Sequence, residues 1–346
     1  VTMRGYEEVF AYLNGLEVNG IMFDGSKVNE RLYEAISAKT GKCVNVTPSP
    51  VLKMQSVKNA TEIAGERIAM REDAVALTRF FRWLETEALQ TLQTEITLAD
   101  KLHAFRAMGK HFTDESFCTI AGWKGNGAIV HYHAERENCA AIEGNGVLLL
   151  DSGGQYLDGT TDITRTFALG EISDEERHDS TLALKGSLAL MEAVFKEGIS
   201  GSQLDVLCRE YFWREGLDYR CGTGHGVGFM LNVHEGPQGF GSPVKLKEGM
   251  VLTVEPGVYT EGSHGIRTEN VVTVVKGEKT EYAQFLKFEL FTLVPIDTKC
   301  LDVTMLTDHE LDWLNRYHQH VWEELSPLVS PRAKAWLEDA TKPLSR

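Results

Sequence analysis

The chain has 346 residues, 42% hydrophobic and 25% charged, an ordinary globular composition with length for about two domains. Fifty acidic against 35 basic residues give a net charge of −15 with no basic run, which argues against nucleic acid as a partner. No apolar run approaches the ~18 residues of a membrane span, and six cysteines without a CxxC pair read as reduced thiols of a cytoplasmic protein.

The opening VTMRGYEEVF has neither an initiator methionine nor a signal peptide's basic start and apolar block, so the chain reads as a fragment. Residues 20–23 (GIMF) and 42–46 (KCVNV) are strand candidates flanking a helix at 28–39, the end of a small α/β unit. TPSPV (47–51) then reads as a stiff linker, because each proline disfavours helix just before it. A long amphipathic helix is expected over 57–92 and a second over 97–108. Strands follow at 116–121, 127–132, 146–151 and 162–169. The order restarts with a helix at 174–197, opened by the capping box Ser173-x-x-Glu176, and another at about 203–215. Strands at 250–256 and 267–275 complete this half. Thr307-x-x-Glu310 opens a last helix to about Leu325, and the tail holds one more short helix. Two helix–helix–sheet halves predict an α+β fold with internal pseudo-twofold symmetry.

The chemistry concentrates in four acids and one histidine. Asp151 and Asp162 end and begin strand candidates separated by a glycine-containing turn, so they can meet as a cross-strand pair. Glu255 and Glu269 repeat the arrangement around YTEGSHG (259–265). All four lie in apolar strand context, where unpaired carboxylates are costly and repel one another unless cations compensate. Two divalent metals would do so, with His225 supplying a nitrogen. One imidazole among oxygens suits Mn²⁺, with Co²⁺, Fe²⁺ or Zn²⁺ as alternatives. The glycines of CGTGHGVG (221–228) would clear side chains from beside the metal and allow positive φ. The same stretch lacks the Lys-Ser/Thr of a phosphate loop.

LLDSGGQYLDGTTDITRTFALG, GTGHGVGFMLNVHEGP, LTVEPGVY and GIRTENVVTVV resemble, in order, the metal-site motifs of Xaa-Pro aminopeptidases (aminopeptidase P) of the pita-bread metallopeptidase family, peptidase family M24. The resemblance covers about residues 48–346, and KFELFTLVPIDTKCLDVTMLTDHELDWLN resembles the aminopeptidase P branch in particular. It implies a pita-bread (creatinase/aminopeptidase) catalytic domain over 51–346, with a helical extension from about 305 to 346. Residues 1–50 would be the C-terminal part of a creatinase-like N-terminal α/β domain plus linker. The implied ligands are Asp151, Asp162, His225, Glu255 and Glu269. Asp162 and Glu269 would bridge two ions, with Asp151 on one and His225 and Glu255 on the other. The implied reaction is hydrolysis of the N-terminal Xaa-Pro bond by a hydroxide bridging the ions, with Glu255 as general base. His234 matches a histidine that contacts substrate, and His131 one that stabilises the tetrahedral intermediate. Family members are expected to be homodimers.

Arg267 stands two residues before Glu269 and would share its strand face, able to hold a ligand carboxylate such as Asp151. Two departures from the family pattern concern the surroundings of the site. Cys221 stands where many members carry a histidine, and His133 in HYHAER is additional and expected to be exposed. Prolidase is the nearest enzymatic alternative, opposed by the C-terminal region. A non-catalytic peptide- or protein-binding pita-bread module is the alternative of another class. Like metal-independent, creatinase-type hydrolysis, it is opposed by the intact set of five ligands.

Overall fold

The computed structural model describes residues 2–39, 42–137 and 139–346, which fall into two compact units, 1–55 and 56–346.

In the first unit, α1 (Val9–Gly15) leads to β1 (Ile21–Phe23), α2 (Glu30–Lys39) and β2 (Cys43–Asn45), with β1 and β2 parallel. The Asp24 carboxylate accepts from Ser26 Oγ at 2.7 Å, Thr47 Oγ1 at 3.2 Å and Ser49 N at 3.0 Å, which folds 47–49 back onto the strand end. The stiff linker expected over 47–51 runs instead into a short helix, α3 (Pro50–Gln55). Pro50 takes the first helical position, where its fixed φ fits and its missing N–H costs nothing, and Ser49 Oγ accepts from Val51 N at 3.1 Å.

The second unit begins with α4 (Ala60–Thr86), whose start is set three residues later than the sequence pattern by an Asn59–Glu62 capping box. Next come α5 (Glu95–Arg106), β3 (Phe112–Glu115), β4 (Ile120–Trp123), β5 (Gly146–Ser152), β6 (Gly154–Tyr156), β7 (Gly159–Thr160) and β8 (Ile163–Leu169). The strand expected at 116–121 is confined to β4, and the one expected at 127–132 does not form. Lys124–Ala128 make a single 3-10 turn instead. A Cβ on Gly265 would collide with the backbone of Gly127, so this segment packs main chain to main chain where a strand's side chains would not fit.

The second half carries α6 (Asp174–Met191), β9 (Val194–Lys196), α7 (Gly201–Arg214), β10 (Val251–Val254), β11 (Gly257–Thr260), β12 (His264–Arg267), β13 (Asn270–Lys279) and β14 (Gln284–Leu290). Helix α6 stops six residues before the expected 197. Val194–Lys196 pair with β14 instead, and the ring of Phe195 lies 5.1 Å from Phe288. The single strand expected at 267–275 is split at Thr268–Glu269. The chain closes with α8 (Asp308–Leu325), capped by Thr307 and Glu310, and α9 (Pro331–Ala340).

Two antiparallel sheets, β4–β5–β8 and β10–β13–β14–β9, belong to the two halves; α4 and α5 precede the first, and α6 and α7 precede all of the second but β9, which lies between them. The β5 and β8 strands are buried along their whole length, and one large apolar cluster runs from Leu77 and Phe81 on α4 through Leu148 and Val272 to Leu314 and Val321 on α8. No helix among the described residues is long and apolar enough to cross a membrane.

Candidate metal centre

The strand ends aim the acids at one point. Ser152 of β5 pairs with Ile163 of β8, so Asp151 lies within β5 and Asp162 one residue before β8. Asp151 is opposite Thr164, so the two aspartates form a diagonal and not a direct cross-strand pair. In the other half Val254 pairs with Asn270, and Glu255 and Glu269 lie just beyond that paired end. The halves are stitched by Glu269 N donating to Thr164 O at 3.2 Å and Thr164 Oγ1 donating to Glu269 Oε2 at 2.7 Å.

His225 is fixed by backbone. It exchanges bonds with Thr253, whose Oγ1 accepts from His225 N at 3.0 Å and whose N donates to His225 O at 2.9 Å. The ring's Nδ1 lies 2.9 Å from Gly226 O, which turns Nε2 toward Asp162 Oδ2 at 3.3 Å and Glu255 Oε1 at 3.5 Å. The flanking glycines answer the need the sequence suggested only in part. Gly222 and Gly224 do line the cavity, but a Cβ on Gly224 would strike Thr253 O and one on Gly226 would strike Glu235 O. Gly224, at φ +158° as expected, and Gly226 therefore also admit neighbouring main chain.

Asp151, Asp162, His225, Glu255 and Glu269 line one cavity of about 480 Å³. Arg267, Cys221, His131 and His234 stand on its wall with the apolar Phe117, Ile120, Val130 and Val233. Asp162, His225 and Glu269 each offer an atom within 4.8 Å of the others' and could hold one metal ion. Arg267 ends β12 fully buried. It donates from Nη2 to Asp151 Oδ2 at 2.5 Å, from Nε to Thr164 Oγ1 at 3.0 Å and from Nη1 to Tyr259 OH at 2.8 Å. The other oxygen of Asp151, Oδ1, is buried with no hydrogen-bond partner among the described residues.

His131 is exposed at the mouth. The His234 ring meets that of His225 edge-on, with centroids 4.0 Å apart. His133 is exposed and does not line the cavity. The Cys221 thiol lies 3.9 Å from Tyr259 OH, and burial pushes that thiol up.

Four carboxylates facing two cationic groups form an electrostatically unbalanced set. Burial drives Glu269 well above the ordinary carboxylate range, and the charges of Asp162, Glu255 and Asp151 add to it. Burial likewise raises Asp162, with Asp151 adding and the bond to His225 opposing. Glu255 is pushed up to about 7, by burial first and then by Asp162 and Asp151, against the relief from His225 and Arg267. Burial disfavours a charge on His225, yet its bond to Asp162 and the charges of Asp162 and Glu255 prevail and lift it to about 9. Burial, then the neighbouring His225 and His131, hold His234 down.

Around this set lies a layer the sequence reading passed over. Thr253 Oγ1 also donates to Glu255 Oε1 at 3.2 Å. Arg165, fully buried, donates to the backbone oxygens of Thr164, Glu269, Val294 and Pro295 and to Tyr317 OH on α8. Thr164 stands two residues beyond Asp162 and Thr253 two before Glu255. This period-two spacing was the available signal that each shares a strand face with its acid.

Residues 64–276 match the model of metallopeptidase family M24, and residues 284–344 match the C-terminal region of peptidase M24; the chain belongs to metallopeptidase family M24. It is 43% identical over 331 residues to aminopeptidase P2 of Arabidopsis thaliana, covering 93% of this chain and 47% of that protein. It is 44% identical over 337 residues to a probable Xaa-Pro aminopeptidase P of Tuber melanosporum, covering 93% and 54%. Its fold superimposes on the crystal structure of X-prolyl aminopeptidase from Caenorhabditis elegans, described as a cytosolic enzyme with a di-nuclear active site. The TM-score there is 0.86 and the identity 36%, over 98% of this chain and 57% of that one. The fold is thus the pita-bread fold of this family, and the chain spans about half the length of the curated relatives it matches.

Proposed function

We propose that this chain carries the catalytic centre of a metal-dependent aminopeptidase that releases the N-terminal residue from peptides with proline second. The observation that carries the reading is the convergence of Asp151, Asp162, His225, Glu255 and Glu269 on one cavity that, among the described residues, a single guanidinium, Arg267, also lines. The donor set fits divalent metal. Asp151 Oδ1 is a buried acceptor without a donor, the acids resist ionisation together, and three ligand atoms already cluster within 4.8 Å. The relatives' names and the di-nuclear site of the Caenorhabditis elegans enzyme support two ions and this substrate class.

Asp162 and Glu269 would be shared between the ions, with Asp151 completing one set and His225 and Glu255 the other. Oxygen donors with a single imidazole suit Mn²⁺, with Co²⁺, Zn²⁺ or Fe²⁺ as alternatives. Bound, the ions would supply the positive charge that acidifies water and polarises the scissile carbonyl. The chain's own groups do the rest. Glu255 accepts the proton of the attacking water at a carboxylate oxygen. His234 and His131, on the open side of the cavity, orient the substrate and stabilise the tetrahedral intermediate. Arg267 pins Asp151 through a charge-assisted bond. The apolar wall of Phe117, Ile120, Val130 and Val233 excludes water from the substrate's side chains.

The same reading makes residues 1–50 the last part of an α/β domain joined to the catalytic domain, the protein cytosolic and its assembly a homodimer. Its test is amino-acid release from an Xaa-Pro-Xaa tripeptide and from an Xaa-Pro dipeptide after Mn²⁺ loading. Cleavage of the tripeptide is expected; cleavage of the dipeptide alone would move the assignment to prolidase.

A further inference from the structure

The segment from His225 to His234 is a loop with little of its own to hold it. Glycines stand at 226 and 228, and a Cβ at either would strike backbone across the loop, Glu235 O and Asn232 O respectively. Two main-chain bonds close it, Glu235 N to Gly226 O at 2.7 Å and Gly228 N to Asn232 O at 3.1 Å. A loop so rich in glycine has much conformational freedom to lose on folding, yet it must hold two imidazoles 4.0 Å apart.

A side chain from outside the loop bridges its two arms. Lys58, in the short stretch before α4, is buried with its side chain 1% exposed. Its ammonium donates to Val227 O at 2.7 Å and to Glu235 Oε1 at 2.6 Å. Val227 lies two residues after His225, and Glu235 directly after His234. Lys58 is itself fixed, with its N donating to Gly249 O at 2.9 Å and Val57 bridging Met250 just ahead of β10, the strand that ends at Glu255. One cation thus ties both histidine arms to the strand that delivers the glutamate.

A buried ion pair is poor evidence of stabilisation, because the cost of removing both charges from water offsets their attraction, and well-packed apolar replacements are often as stable. The value of this pair is geometric. We propose that Lys58 is a positioning residue that sets the separation of His225 from His234, and through it the affinity of the metal centre and the placing of the substrate. The inference rests on the reading of His225 as a metal ligand and His234 as a substrate contact.

The test compares the wild-type chain with K58M, K58M/E235Q and E235Q by thermal melting, Mn²⁺ titration calorimetry and tripeptide kinetics. K58M leaves Glu235 buried and unpaired, so its melting temperature is expected to fall. K58M/E235Q removes both charges and is expected to regain most of that loss. Its Mn²⁺ affinity is nevertheless expected to stay about 10- to 100-fold weaker, the usual cost of losing a group that orients a ligand, with KM raised more than kcat is lowered. E235Q keeps the ammonium on Val227 O and offers it an amide oxygen where the carboxylate stood, so both arms stay tied and it is expected to bind Mn²⁺ like the wild type. A K58M/E235Q chain with wild-type Mn²⁺ affinity and KM would show the pair to be structural only and overturn the inference. So would an E235Q chain impaired as much as K58M. A wild-type chain that binds no Mn²⁺ would instead refute the metal-centre reading, and this inference with it.

Discussion

Metal binding to this centre is expected to expel protons, and the structure sets the scale. A metal ion takes a neutral imidazole and ionised carboxylates, yet in the metal-free protein Asp162 and Glu255 hold His225 protonated up to about 9. Freeing that nitrogen at pH 7 therefore costs about 3 kcal/mol, at about 1.4 kcal/mol per pH unit. Glu255, ionising at about 7, adds a second proton on the acidic side, and the two titrate as a pair. Mn²⁺ affinity should then rise at least roughly tenfold per pH unit between about 7 and 9, and more steeply wherever Glu255 or the raised Glu269 and Asp162 also hold protons. Calorimetric titration at pH 7.5 in two buffers of different ionisation enthalpy counts the protons directly, and at least one per chain is expected. An affinity flat between pH 6 and 9, with no buffer-dependent heat, would refute the electrostatic picture of the site.

The remaining predictions probe single groups. Glu255→Gln should abolish turnover yet stabilise the metal-free protein at pH 8 by about 3 kcal/mol, since a shift from 4.5 to about 7 is a folding penalty that accumulates as pH rises through that window; denaturant unfolding of both chains checks it, and an unchanged midpoint would contradict it. Below pH 4.5 the same pair should unfold alike. Arg267→Met strands a buried Asp151, so a loss of about 3–5 kcal/mol or a metal affinity lowered about 10- to 100-fold is expected by unfolding and titration. Gly224→Ala places a methyl against Thr253 O and should displace His225, read as a lower melting temperature together with weaker metal binding. Cys221→Ala should leave metal stoichiometry unchanged, because the thiol contacts Tyr259 OH and is not among the clustered ligand atoms.

The acids and His225 were legible because strand context makes a buried carboxylate conspicuous: LLLD and TVEP have no local partner for their charge, and RTEN has only Arg267. The capping boxes at Ser173 and Thr307 marked helix starts for the same reason, a short local pattern with one physical meaning. What escaped depends on distant chain. Lys58 and Glu235 are 177 residues apart, and nothing in either segment announces the other. Arg165 looks like an ordinary strand residue until the oxygens of Val294 and Pro295 close over it. The strand misread at 127–132 failed on a backbone contact with Gly265, and helix α6 stopped early because Phe195 pairs into a sheet whose partner strand lies some 90 residues on. The glycines around His225 were noticed, but their purpose, admitting Thr253 and Glu235 backbone, needed the neighbours in view.

These five side chains are proposed to hold two divalent ions. The direct measurement is metal content after Mn²⁺ loading and desalting, by plasma mass spectrometry, on the wild-type chain and on Asp162→Asn/Glu269→Gln. Two ions per wild-type chain, and none retained by the double variant, is the expected result. A wild-type chain that retains no stoichiometric metal, or a double variant that keeps both ions, would contradict it.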